Sequence, residues 1–278
     1  MHKTKQPLHV WFWAAYLVTT QTPGMSALQF QRQLGISRYE TAYQLFQKLR
    51  AGMVRPDKDR IGDEFSVEVD EAFVGGRTKG KGRGNTDAPL VIAAVEVRTR
   101  VHPKKGRLSF YAGRLRLRHI VSRERLECED FVKDSILPGS TVRTDGHNGY
   151  DRLARMGYVH DSLVLGGDPE LTDQHLPMVH IVFSNLKTWL RGTHHGVSAQ
   201  HLQAYLNEYV FRFNRRFYPM TSFASVLGIG SVRVGPTYEG LYGGEYIHPN
   251  PERPRRLRVS KVSDATRRRM SLQARRDQ

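Results

Sequence analysis

Two aspartates determine which chemistry to consider. Phe65-Ser-Val-Glu-Val-Asp70 and Ser140-Thr-Val-Arg-Thr-Asp145 are short alternating runs that each finish on an acid. Alternation with a period of two marks a half-buried strand, so Asp70 and Asp145 are expected at the ends of two core strands. Phosphodiester cleavage by two metal ions needs hard oxygen ligands on rigid backbone, holding the ions ~3.5–4 Å apart. If the two strands are parallel neighbours, both carboxylates share one edge of the sheet. Surface turns also begin with Asp, so position at a strand end does not by itself separate a metal site from an ordinary turn. Glu71 is expected on the opposite side of its strand, in a structural role.

The composition allows a globular chain with a core, since 39% of its 278 residues are hydrophobic. The 43 Lys and Arg against 27 Asp and Glu give a formal charge of +16, which favours polyanions, nucleic acid first among them. With Cys128 as the only cysteine, an internal disulfide, a zinc ribbon and a zinc finger are excluded, and the chain reads as cytoplasmic. The apolar stretch from Leu8 to Val18 contains His9 and falls short of the ~20 residues that span a bilayer, so it is expected as a buried helix.

The elements that must carry the aspartates follow from the pattern. After the Leu8 to Val18 helix, Thr22-Pro23-Gly24 is a stop signal. Ser26 to Leu34 and Arg38 to Arg50 read as two short helices joined by Gly35-Ile36-Ser37. Ser26 and Ser37 are the expected N-caps, Ser37 with Glu40 as a capping box. This is the layout of a helix-turn-helix whose second helix turns Ala42, Leu45, Phe46 and Leu49 inward and offers Arg38, Tyr39 and Gln44 to DNA. Strands follow at Phe65 to Asp70, Pro89 to Val97 and Arg107 to Arg118. The Gly-rich loop between the first two carries Lys79, Lys81 and Arg83, available to phosphates. A helix from Ser122 to Ile136, the strand ending at Asp145, an apolar helix from Val179 to Arg191 and an amphipathic helix from Ser198 to Arg215 complete a mixed α/β sheet with helices on its faces. Residues 218–278, rich in arginine toward the end, are expected as a disordered basic tail that touches phosphate backbone.

Four segments resemble the insertion-sequence transposases of the ISXO-like group, which carry a DDE-type domain. Val67-Glu-Val-Asp-Glu-Ala-Phe-Val-Gly-Gly76 is similar to the family's first-aspartate motif and Thr144-Asp-Gly-His-Asn-Gly-Tyr150 to its second. Ser184-Asn-Leu-Lys-Thr-Trp-Leu-Arg-Gly-Thr-His-His-Gly-Val-Ser198 resembles the segment of the third catalytic position, and Tyr205-Leu-Asn-Glu-Tyr-Val-Phe-Arg-Phe-Asn-Arg-Arg216 the motif closing the domain. The resemblance implies a helix-turn-helix region over 1–60 and an RNase-H-like catalytic domain over 61–217. It further implies Mg²⁺ or Mn²⁺ as cofactor, and DNA as partner at terminal inverted repeats and target. Action as a homo-oligomer on paired ends, near the bacterial nucleoid and away from membranes, completes the expectation.

Two departures stand beside it. Relatives usually open with a zinc ribbon, whereas Met1-His-Lys-Thr-Lys-Gln-Pro-Leu8 begins close to where a ribbon would end, so a shortened copy or an internal start is expected. The third ligand, usually Glu in DDE enzymes, has no Glu here. In relatives a Lys follows it by seven residues, two helical turns on the same face, and seven before Lys187 stands His180. Asn185 is the alternative, since some relatives carry Asn, and both remain open. Imidazole at this place shifts the metal preference toward Mn²⁺. Lys187 and Arg191 are expected on phosphates. The expected function is metal-dependent strand cleavage and strand transfer; the alternative is a transposase-derived DNA-binding protein without efficient catalysis.

Overall fold

In the computed structural model, which describes residues 4–54, 60–75, 88–101, 104, 106–164, 166, 168–231, 235–243 and 246, three helices come first. These are α1 Leu8–Thr20, α2 Ala27–Leu34 and α3 Tyr39–Ala51. Ser26 accepts a hydrogen bond from the Gln29 N–H, satisfying one donor that a helix start leaves over. Gly35, at φ 63°, ends α2 in the left-handed conformation that favours a residue without Cβ. The Ser37–Glu40 capping box does not form: Arg38 takes the N-cap position of α3, and the Ser37 carbonyl accepts from the Gln31 side chain. Ala42, Leu45, Phe46 and Leu49 face inward, while Arg38 and Tyr39 are exposed and Gln44 is half-buried.

The sheet strands are β1 Val67–Phe73, β2 Leu90–Val101, β3 Leu108–Ile120, β4 Thr141–Asp145 and β5 Val159–Leu163. The helix α4 Arg125–Ser135 links β3 to β4, and α5 Pro169–His175, α6 Pro177–His194 and α7 Ala199–Phe213 follow β5. Glu124 is the N-cap residue of α4, so Ser122 does not cap it but accepts from the Glu124 N–H. The strand order is β3-β2-β1-β4-β5, antiparallel among β3, β2 and β1 and parallel among β1, β4 and β5. Alternation sorts the side chains of β2: Val91, Ala93 and Val95 pack with α6 and α7, whereas Leu90, Ile92 and Ala94 pack with α4.

The expected disordered tail is helical in two described stretches. Pro219–Ser231 forms α8 and Tyr238–Tyr242 forms α9. The stretch 219–231 holds no charged side chain, so it has apolar surface to bury, and α8 lies on α1 with Val226 inside the helical core. The arginine-rich stretch beyond residue 246 lies outside the described residues.

A buried ion pair joins the first helices to the sheet's own. Arg50 Nε of α3 stands 2.8 Å from Glu208 Oε2 of α7, each side chain 1% exposed. The guanidinium is sandwiched between Phe46 and Tyr205, at 4.0 and 3.8 Å from their ring centroids. Taking one partner from a buried pair strands the other charge, at a cost of about 3–5 kcal/mol. Urea unfolding of Glu208→Ala should show a loss of that size, and the double replacement Arg50→Met/Glu208→Leu should recover most of it. A loss below about 1 kcal/mol would mean that the guanidinium is solvated.

Candidate metal centre

Parallel pairing brings the two aspartates level. Val67 pairs with Val142 and Glu68 with Arg143, and the same offset sets Asp70 beside Asp145. Asp145 closes β4, but Asp70 does not close its strand: β1 runs on to Phe73, held by its pairing with β2. By alternation both belong to the face covered by α6. Asp70 Oδ1 accepts from the Glu71 N–H at 2.7 Å, and Asp145 Oδ1 from the His147 N–H at 3.3 Å. Glu71 starts from the other face, where its Oε1 lies 3.7 Å from Cys128 Sγ and 4.0 Å from His147 Nδ1. One oxygen from each of Asp70, Glu71 and Asp145 nevertheless lies within 4.8 Å of the others. Alternation alone therefore misjudges the reach of Glu71; the signal available was an acidic dipeptide within an apolar strand.

Crowding of like charge in a poorly solvated place shows in the protonation of these groups. Burial, then the negative charges of Asp70 and Asp145, push the Glu71 carboxyl up to about 7. Burial, then Asp70, also raise Asp145. Three hard oxygen donors that repel one another fit a divalent cation, which would remove the repulsion and accept all three.

The helix α6 brings a fourth group. His180 Nε2 is 3.4 Å from Asp70 Oδ2. The start of α6 is held by Glu68, a fully buried residue of β1 that the sequence reading passed over. Its Oε2 accepts from the Met178 N–H at 2.7 Å and the Val179 N–H at 2.8 Å. Asn185 is exposed on α6, five residues on from His180 and so turned by about 140° from it. Lys187 is half-buried, Arg191 is exposed, and both border a small cavity of about 50 Å³ beside Gly75 and His195. On α3, Tyr39 stacks on Tyr43, which meets His201 of α7 and Tyr242 of α9, so this face of the helix is partly covered. Lys79, Lys81 and Arg83 lie outside the described residues.

In metal-free protein the folded state holds the Glu71 proton up to about pH 7, the unfolded state only to the ordinary 4.5. The folded chain thus binds more protons between those values, and stability falls as pH rises through the window. Relative to Glu71→Gln, the wild-type urea midpoint in excess chelator should decline from about pH 4.5 to 7; the comparison removes the opposite trend of His194, which burial pushes down to about 3. The pH dependence left in Glu71→Gln belongs to the other shifted groups, among them Glu68, which burial raises to about 7 against the pull of its two backbone hydrogen bonds, and Asp145. An unchanged slope would place the Glu71 carboxylate in water.

A search of curated proteins finds no match for the chain. A family model described as an ISXO2-like transposase domain matches residues 62–214, more than half of the chain. The matched span takes in the whole sheet, both aspartates and α6, and ends just after α7. The mixed five-stranded sheet between layers of helices is the RNase-H-like fold of that family, and the chain belongs to the ISXO2-like transposases.

Proposed function

We propose that this transposase cuts DNA at the terminal inverted repeats of an insertion sequence and transfers the freed 3′-hydroxyl to target DNA. The carrying observation is the level pair of Asp70 and Asp145 with His180 Nε2 3.4 Å from Asp70 Oδ2. Mg²⁺ or Mn²⁺ bound there would supply Lewis acidity and charge neutralisation at the phosphate. Asp70 and Asp145 hold the site from the sheet, each with Oδ1 steadied by a backbone N–H. His180 is the third protein ligand in this reading in preference to Asn185, and Glu71 adds a carboxylate oxygen where relatives rely on a Glu from the helix.

Lys187 and Arg191 continue along α6 and contact phosphates of the strand being cut. Arg38, Tyr39 and Gln44 of α3 face the inverted repeat, and Lys79, Lys81 and Arg83 add contacts to the phosphate backbone. The net charge of +16 favours all of these contacts. Two or more copies act together on paired ends.

A duplex bearing the element end, incubated with full-length protein and Mg²⁺ or Mn²⁺, should be nicked and then joined to target. Asp70→Asn should lower nicking by more than about 100-fold, since loss of a ligand exceeds the about 10–100-fold cost of losing a ligand's support. Its DNA binding should keep the wild-type salt slope. Equal nicking by Asp70→Asn sinks the chemical assignment; salt-sensitive binding with no cutting under any metal identifies a DNA-binding protein without catalysis.

A further inference from the structure

The first turn of a helix leaves its leading N–H groups without partners inside the helix. At α6 those of the first three helical residues can be traced. Pro177, the first helical residue, has no N–H to satisfy. The Met178 and Val179 N–H groups both donate to Glu68 Oε2, and the His180 N–H donates to the Leu176 carbonyl at 3.3 Å. The N-cap residue Leu176 gives no side-chain hydrogen bond. The task of ending α6 thus falls to a carboxylate from another element, 110 and 111 residues away in sequence from the amides it binds. Glu68 is fully buried, and its Oε1 has no hydrogen-bond partner among the described residues. It stands two residues before Asp70 on the same face of β1, while His180 follows directly on the two amides it holds.

We propose that Glu68 is a positioning residue: through the Met178 and Val179 amides it fixes the first turn of α6 against β1 and so sets where His180 stands relative to Asp70. One strand then holds both a metal ligand and the tether of the helix that carries the opposing one. The proposal rests on the metal-dependent reading given above. Rigid support of this kind is what a ligand needs to keep its place within a few tenths of an ångström. It reaches beyond His180, because Lys187 and Arg191 ride on the same helix.

The test uses the full chain without DNA. Backbone amide exchange reads the tether, and Mn²⁺ titration followed by electron paramagnetic resonance reads the site, with Asp70→Asn identifying which binding belongs to it. In Glu68→Met the Met178 and Val179 amides should lose protection while those of Leu186 and Leu190 keep theirs, and Mn²⁺ binding should weaken about 10-fold. Glu68→Gln, whose amide oxygen still accepts both N–H groups, should retain protection and bind within about 3-fold of wild type, under 1 kcal/mol at about 1.4 kcal/mol per tenfold. His180→Ala should weaken binding similarly, and adding Glu68→Met to it should cost little more, since the two act through one path. If Glu68→Met does not fold, Glu68→Asp keeps the charge but falls a methylene short of both amides, and is read in the same way. Unchanged Mn²⁺ affinity in the variant, or full additivity with His180→Ala, reduces Glu68 to a stabilising cap and overturns the proposal. A wild-type protein with no Mn²⁺ site sensitive to Asp70→Asn instead overturns the metal reading itself.

Discussion

The candidate site depends on a register. The parallel pairing of β1 with β4 puts Asp70 level with Asp145 where β4 stops. A slip of one residue would send every side chain of β4 to the other face, taking Asp145 away from α6 and Val142 out of its core. The register is therefore held by the apolar residues on both sides of the sheet. Val67, Val69 and Val142 pack under α4, and the alternating partners on β2 pack under α6 and α7.

That core also makes room for charge that would not otherwise gather. Asp70, Glu71 and Asp145 repel one another, and Glu68 is buried nearby with one oxygen that has no hydrogen-bond partner among the described residues. Each of these arrangements costs free energy in the metal-free protein, and such sites persist when surrounding packing over-determines them. α6 is suited to the role because five buried apolar residues between Val179 and Leu190, with Trp189, anchor one face while His180, Lys187 and Arg191 occupy more accessible positions.

How much of this was legible in the sequence varies with the range of the interaction. The faces of Asp70 and Asp145 were readable because alternation is a local property, although β1 runs on past Asp70; His180 was reached through the resemblance, by its spacing from Lys187, and its nearness to Asp70 is a tertiary contact. Glu68 was not readable: its position in the Phe65 to Asp70 run looks like any polar residue of a half-buried strand, and its partners lie on a helix more than a hundred residues on. Glu71 was assigned to the far face by strict alternation, which describes where a side chain starts and not how far a long carboxylate reaches. The helix α8 was hidden by the arginines after it; its own thirteen residues carry no charge, and that composition was the overlooked signal. The start of α3 shows the same limit, since Ser37 and Glu40 fit a capping motif while the Ser37 carbonyl is engaged by Gln31.

The Arg50–Glu208 pair bears on how such elements diversify. Glu208 lies within the matched span of 62–214, whereas Arg50, Phe46 and the rest of α3 lie before it. The helical start of the chain is consequently not a detachable cassette. A recombinant that borrowed these helices from a relative would need an arginine at the same depth, with aromatic rings above and below it, or else leave a carboxylate sealed in the seam. Exchange of these leading helices between relatives should then be confined to lineages that share this arginine–glutamate lock, so the two halves are expected to descend together.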